Sequence, residues 1–147
     1  MTAWNALHMQ SPASTLAAAL RGRECHVERR EADWSFDFGE RLNIAASVPW
    51  RVVTKDGIAH ADEDDGQWFG LSKPVDGEAR ANELLHGQKI VGVELDRDTA
   101  DLRLVFDGAR LDFFNNSSGY EGWHASVPAG GKELTVIALG GGRLTTH

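Results

Sequence analysis

The chain has 147 residues, 41% hydrophobic and 25% charged, which suffices for one globular core, and no apolar run approaches the roughly 20 residues that a membrane-spanning helix needs. Its formal net charge of −7 disfavours binding to nucleic acid or to an anionic membrane, because both require a concentrated positive patch. The single cysteine, Cys25, cannot form an internal disulfide, and residues 1–5 lack the basic flank of a secretory signal, so we expect a cytoplasmic protein.

The first half of the chain predicts one short helix followed by antiparallel strands. The helix begins after Ser11, a favourable N-cap, and ends at Gly22, because glycine readily adopts the left-handed conformation of a helix end. Apolar and polar residues then alternate, as they do in strands with one buried face. The apolar positions are Cys25, Val27, Trp34, Phe36, Phe38, Leu42, Ile44 and Trp50.

The second half of the chain predicts the same order of elements. A helix begins at Asp76 and ends at Gly87, and strands again follow the closing glycine. Their apolar positions include Ile90, Leu102, Leu104, Phe106, Leu111, Phe113 and Trp123.

The sequence therefore predicts an α+β fold that is mainly β, with two pseudo-repeated units of one helix plus antiparallel strands packed as a single domain over residues 1–147. The repeats are residues 11–75 and 76–142, and residues 143–147 are expected to form a frayed tail after the glycine run. Whether the units form one continuous sheet or two lobes is left open by the pattern.

No motif indicates catalysis, a metal or a cofactor. The six histidines lack metal-ligand spacing, and neither a phosphate loop nor a dinucleotide fingerprint is present. The alternation points His26 away from the adjacent Cys25, so we expect no activated thiol. The acidic run Asp62, Glu63, Asp64 and Asp65 fails the calcium-loop pattern, because the first and twelfth ligand positions would be Ala61 and Ser72. We expect no enzyme activity and no cofactor.

The tryptophans suggest a binding surface. Trp50 and Trp123 occupy matching places in the two repeats and precede Arg51 and His124, and tryptophan and arginine are enriched at binding hot spots. The alternative is that both indoles fill the core. To these four residues the prediction adds Trp68, the acidic run and one tyrosine of a polar loop. The full predicted contact set is Trp50, Arg51, Asp62, Glu63, Asp64, Asp65, Trp68, Tyr120, Trp123 and His124.

The spacing of Gly22, Phe38 and Ile44, repeated by Gly87, Phe106 and Phe113, resembles that of small uncharacterised bacterial domains, some of them immunity proteins of contact-dependent toxin systems. This resemblance implies a small acidic cytoplasmic protein that binds and blocks a toxin.

The leading hypothesis is therefore a non-enzymatic protein-binding protein, an immunity-like inhibitor whose partner has a basic surface. A homodimer through an exposed sheet edge is compatible with it. The alternative is a small-ligand-binding or regulatory module, with a pocket between helices and sheet lined by Phe36, Phe38, Leu104 and Phe106; an enzyme ranks third.

Overall fold

The structure is a computed structural model that describes residues 11–147. The expectation that residues 1–5 do not form a secretory signal lies outside the described residues. The helices are α1 (Pro12–Leu20) and α2 (Gly77–Leu85). The strands are β1 (His26–Arg29), β2 (Trp34–Asp37), β3 (Asn43–Ala46), β4 (Trp50–Thr54), β5 (Gly57–Ala61), β6 (Ile90–Leu95), β7 (Leu102–Phe106), β8 (Arg110–Phe113), β9 (Trp123–Ala129), β10 (Lys132–Ala138) and β11 (Leu144–Thr146), and a short 3-10 turn spans Asp62–Asp64.

The strands form two antiparallel sheets. Sheet A has the order β1-β2-β3-β9-β10-β11, and sheet B has the order β5-β4-β8-β7-β6. The mainly β, α+β prediction with antiparallel sheets is confirmed at this level. Each sheet takes strands from both halves of the chain, so the halves form neither one continuous sheet nor two separate lobes.

One hydrophobic core lies between the sheets. Its buried side chains come from both sheets and from both helices, and the largest are Trp50, Trp123, Phe36 and Phe113. Along β7 and β8 the inward residues alternate with residues on the opposite face, as the pleat of a strand requires. Thirteen of the fifteen apolar strand positions named from the sequence are buried in this core, and Cys25 and Trp34 pack against it partly exposed.

The two helices lie at the outer strands of the sheets. Helix α1 packs against β6, β9 and β11, whereas α2 packs against β1 and β5. Their buried faces have the predicted i, i+4 spacing, with Leu16 and Leu20 in α1 and Ala81 and Leu85 in α2. The predicted caps are also confirmed, because the side chains of Ser11 and Asp76 accept hydrogen bonds from Ser14 N and Ala79 N.

The prediction of a frayed tail over residues 143–147 is wrong. Residues Leu144–Thr146 form β11, which pairs with β10, and His147 exchanges two backbone hydrogen bonds with Thr135. The glycines before it make a turn rather than an end, since Gly141 and Gly142 have φ values of 88° and 102°.

Within residues 11–147, neither helix has the length and apolar character required to cross a membrane.

Candidate functional site

The acidic run is a folded 3-10 turn whose carboxylates bind backbone N–H groups. Asp62 Oδ1 accepts from Trp50 N at 3.2 Å, Asp64 Oδ2 accepts from Ala61 N at 3.0 Å, and Asp65 Oδ1 accepts from Gly77 N at 2.8 Å. Glu63 is the one member of the run that is exposed. The predicted partner contact by Asp62, Asp64 and Asp65 thus competes with structural hydrogen bonds that join β4, the turn and α2.

Arg29 fixes this turn to β1. Its guanidinium donates two hydrogen bonds to Asp65, at 2.8 and 2.7 Å, and one to Asp76 at 3.0 Å. The hydrogen bond from Arg29 is the main reason that the pKa of Asp65 lies below its ordinary value, although burial opposes the shift. Asp65 therefore stays ionised well below neutral pH.

Residues 66–75, which we call the aromatic loop, connect this turn to α2. Gly66 N donates to Val75 O and Val75 N donates to Gln67 O, both at 2.8 Å, so the two ends of the loop are tied together. At the tip, Leu71 N donates to Trp68 O at 2.7 Å, and Phe69 and Gly70 have φ values of 46° and 74°. Two successive positive φ values with this hydrogen bond are typical of a type I′ turn.

The tip of the aromatic loop exposes three large apolar side chains. Trp68 is 57% exposed, Phe69 67% and Leu71 57%. Scattered exposed apolar residues are ordinary on protein surfaces, but three within four positions of one turn form a patch. Of the tryptophans predicted to contact a partner, Trp68 alone lies on this surface.

A cleft of about 370 Å³ lies between the aromatic loop, β5 and α2. Phe69, Leu71 and Val75 form its apolar wall on the loop side, and Ala79 and Arg80 of α2 face them. Its remaining lining residues are Ala59, His60, Asp64, Asp76 and Glu83. The loop and the cleft together make the candidate docking surface.

His60 lies at the back of this cleft as a buried, neutral ring. Its Nε2 has no hydrogen-bond partner, and its Nδ1 is 4.0 Å from Asp64 Oδ2. Burial lowers the pKa of His60 below its ordinary value, outweighing the opposite effect of Asp64 and Asp65. Its ring centroid is 5.5 Å from that of Trp50, so it also contributes to the core.

Trp50 and Trp123 do not lie on the surface, which corrects their assignment as partner contacts. Trp50 is 1% exposed and Trp123 is 0% exposed. The reason is their position: each is the first residue of a strand, β4 or β9, that lies in the interior of its sheet rather than at an edge. Trp123 Nε1 donates to Ala100 O at 2.8 Å, and Trp50 packs edge-on against Trp34 and Phe36.

The remaining predicted contact residues are not gathered at the aromatic loop. Arg51 lies on the outer face of sheet B, where its Nε donates to Asp112 at 3.0 Å. His124 belongs to sheet A and pairs with Glu121, with 3.2 Å between Nε2 and Oε2. Tyr120 is 82% exposed in the β8–β9 connection.

The pocket predicted around Phe36, Phe38, Leu104 and Phe106 is not formed as expected. All four side chains are at most 3% exposed and belong to the shared core. Their inward phase was recognised from the alternation, but alternation alone does not distinguish a filled core from a lined pocket.

Sequence reasoning missed Phe69 and Leu71. The signal was present, because Trp68, Phe69 and Leu71 surround a glycine between the acidic run and the Pro74 that precedes α2. Apolar residues in a segment with turn signals on both sides are candidates for exposure.

Within the part of the chain that the structure describes, no three His, Cys, Asp or Glu side chains are grouped so as to hold a metal ion. Comparison of the chain with protein-family models, curated proteins and solved structures found no match.

Proposed function

We propose that this protein is a non-enzymatic binding protein that docks on a partner protein through the aromatic loop and the cleft behind it. The observation that carries the proposal is the exposure of Trp68, Phe69 and Leu71 on a turn whose backbone is already fixed by hydrogen bonds. A fixed loop loses little conformational entropy on binding, so more of the contact energy becomes affinity.

The conformation of Phe69 supports a role in binding. A residue with a side chain at a φ of 46° is strained, and this position of a type I′ turn favours glycine, asparagine or aspartate. Such strain costs on the order of 1 kcal/mol or more and persists where the surrounding structure and function require it. Burial of each large apolar side chain against a partner would contribute about 1.5–3 kcal/mol.

The charges near the loop favour a partner with a basic surface. Glu63 is exposed, and the side chains of Asp76 and Glu83 are 63% and 73% exposed. These carboxylates, which are part of the net charge of −7, would accelerate encounter with a basic protein and disfavour nucleic acid.

The mode of action that fits this surface is occlusion. As in the immunity proteins that the sequence resembles, the aromatic loop would cover a functional face of its partner in the cytoplasm without chemistry of its own. A second copy of the chain could offer the same apolar tip, so a homodimer is the competing use of this surface.

The test begins with identification of the partner. The tagged intact chain is used to capture binding proteins from a lysate of its source organism; each is then purified and titrated against the chain by calorimetry. Trp68→Ala should weaken the binding of the true partner by about thirtyfold, the usual loss at a hot spot of 2 kcal/mol. An activity assay of the partner with and without the chain tests the inhibition.

Val91→Ala is the matched control. Val91 is 50% exposed on β6, the outer strand at the opposite side of sheet B from β5, so its truncation should leave the affinity unchanged. Equal affinities of wild type and a Trp68→Ala, Leu71→Ala double variant would contradict the proposal. Sedimentation that shows a dimer broken by the same double variant, with no captured partner, would favour self-association instead.

We also infer an internal duplication with residues 11–75 and 76–142 as the copies. Exchanging β1–β5 with β6–β10 in order (β1 with β6, up to β5 with β10) converts β1-β2-β3-β9-β10 of sheet A into β6-β7-β8-β4-β5, which is the order in sheet B. The register supports the same correspondence, since Trp50 pairs with Phe113 and Trp123 pairs with Ala46. An experimental structure whose halves fail to superpose through these pairs would contradict the duplication.

A further inference from the structure

The outer face of sheet B, opposite the core, carries a cluster of three arginines around one buried carboxylate. Asp112 of β8 has a side chain that is 3% exposed, and it lies in register with Arg51 of β4 and Arg103 of β7. Its Oδ1 accepts from Arg103 Nε at 2.9 Å, and its Oδ2 accepts from Arg51 Nε at 3.0 Å and from Arg110 Nε at 3.3 Å. The three guanidinium groups therefore converge on one point.

This cluster has more positive charge than the contacts within it neutralise. Glu94 Oε1, 3.7 Å from Arg103 Nη1, is the second carboxylate that contacts the cluster in residues 11–147. Three arginines contact two carboxylates, so one positive charge is unmatched among the contacting groups; Asp96 and Asp101 lie in the neighbouring cleft. Arg51 and Arg110 share a single oxygen of Asp112, so these two cations lie side by side with one partner between them.

The guanidinium groups are fixed and accessible at the same time. Each arginine donates its Nε–H to Asp112, and the side chains are 30–40% exposed. Arg51 is further held by Phe114, whose ring centroid is 4.9 Å from the guanidinium carbon. Arginines held in this way bind planar and tetrahedral oxyanions with little loss of side-chain entropy.

The fold does not require this cluster. The comparison matches β2, β3 and β9 of sheet A with β7, β8 and β4 of sheet B. In this match Ser35 stands at the position of Arg103, Ala45 at that of Asp112 and His124 at that of Arg51. Asn43 stands at the position of Arg110. A sheet with the same strand order is thus assembled without an arginine at these positions. The arginines of sheet B are therefore explained better by a ligand than by strand pairing.

We propose that Arg51, Arg103 and Arg110 form a binding site for a single oxyanion, a phosphate or carboxylate group, on the outer face of sheet B. A neighbouring cleft of about 340 Å³ defines the rest of the ligand. This cleft is lined by Glu94, Asp96 and Asp101 together with Leu95 and Phe114. The part of the ligand that enters it is therefore neutral or positively charged. Polyanions such as nucleic acid do not fit this distribution.

The test uses the intact chain labelled with 15N and follows the arginine Nε–H signals during titration at low ionic strength. Inorganic phosphate should give saturable shifts of the three cluster signals. Acetate distinguishes a carboxylate site from a phosphate site, and phosphoethanolamine should bind more tightly than phosphate because its ammonium group meets the acidic cleft. Shifts that do not saturate for any of these probes would overturn the proposal.

Two substitutions separate a binding site from a structural ion-pair network. Arg110→Ala leaves Asp112 with two arginines and should weaken phosphate binding by about tenfold, the loss expected for one charge-assisted hydrogen bond. Asp112→Asn removes the competing negative charge and should strengthen phosphate binding, whereas a purely structural cluster predicts no gain. Arg143→Ala, at an exposed site near the C-terminus, is the control and should leave the affinity unchanged.

Equal phosphate affinities for wild type and Arg110→Ala would overturn the proposal even if Asp112→Asn does not fold.

Discussion

Asn82 of α2 pairs with both backbone polar groups of Val27 in β1. Val27 N donates to Asn82 Oδ1 at 2.7 Å, and Asn82 Nδ2 donates to Val27 O at 2.8 Å. One turn earlier, Glu78 Oε1 accepts from Arg29 N at 2.8 Å. Glu78 and Asn82 are four residues apart along the helix, and their strand partners are two residues apart. Both separations are about 6–7 Å, so the two side chains reach alternate residues of β1.

Helix α2 thus completes the hydrogen bonding of an outer strand of sheet A. An open edge is a template for unwanted pairing with another chain, and covering it is one of the standard protections. The second face of α2 packs against β5, the outer strand of sheet B on the same side. One helix therefore closes the gap between the two sheets.

Asn82→Ala should lower the free energy of unfolding by about 2–4 kcal/mol, because a donor and an acceptor of a buried residue lose their partners. Urea unfolding monitored by tryptophan fluorescence measures the loss. Glu83→Ala, at the next and exposed position, is the control, and its change should stay within about 0.5 kcal/mol. A similar stability for both variants would mean that water satisfies Val27 equally well.

The local elements of this fold were predictable because their signals are local. The caps at Ser11 and Asp76 and the left-handed Gly22 and Gly87 each depend on residues within one helical turn. The assignment of strands to sheets was not predictable, since β3–β9 and β4–β8 pairing joins residues more than fifty positions apart. Without that pairing, Trp50 and Trp123 could not be recognised as interior strand residues.

The candidate site was predictable only in part for a related reason. Acidic side chains are usually solvated, but Asp62, Asp64 and Asp65 accept backbone hydrogen bonds, two of them from residues twelve positions away. Trp68 of the predicted contact set is exposed, whereas Phe69 and Leu71, which are also exposed, are not in that set. Exposure of an apolar turn depends on the backbone conformation of the tip.

The two buried tryptophans should respond differently to the same substitution. Trp123 Nε1 donates to Ala100 O at 2.8 Å, whereas Trp50 Nε1 has no hydrogen-bond partner. Phenylalanine removes a similar volume at both sites but breaks a buried hydrogen bond only at Trp123. Trp123→Phe should therefore cost about 1 kcal/mol more than Trp50→Phe in equilibrium unfolding. Equal losses, or a larger loss at Trp50, would show that packing rather than the indole N–H dominates.

Phe69 should be dispensable for stability. Glycine relieves the strain at a φ of 46°, which offsets the entropy that glycine adds to the unfolded chain. Since the Phe69 side chain is 67% exposed, little burial is lost. Phe69→Gly should therefore change the free energy of unfolding by less than about 1 kcal/mol. A loss of several kcal/mol in thermal or urea unfolding would show that Phe69 supports the loop rather than being displayed by it.

His60 should make stability depend on pH between neutrality and mild acid. Burial holds the pKa of the folded ring below its ordinary value of 6.5, although Asp62, Asp64 and Asp65 act in the opposite direction and Arg80 acts with burial. The unfolded chain therefore binds more protons than the folded chain below pH 6.5. The full stability is present above that pH and is lost progressively as the pH falls toward the pKa of folded His60.

His60→Gln removes this titration and should flatten the fall in unfolding free energy between pH 7.5 and 5.5, approximate bounds that bracket the ordinary histidine pKa. Any loss of packing against Trp50 shifts the whole curve without altering its slope, so the slope alone is diagnostic. His26→Gln, at an exposed histidine at the start of β1, is measured in parallel as the matched loss of one imidazole. A slope that persists in His60→Gln would assign the acid sensitivity to other groups and contradict a lowered pKa for His60 in the folded chain.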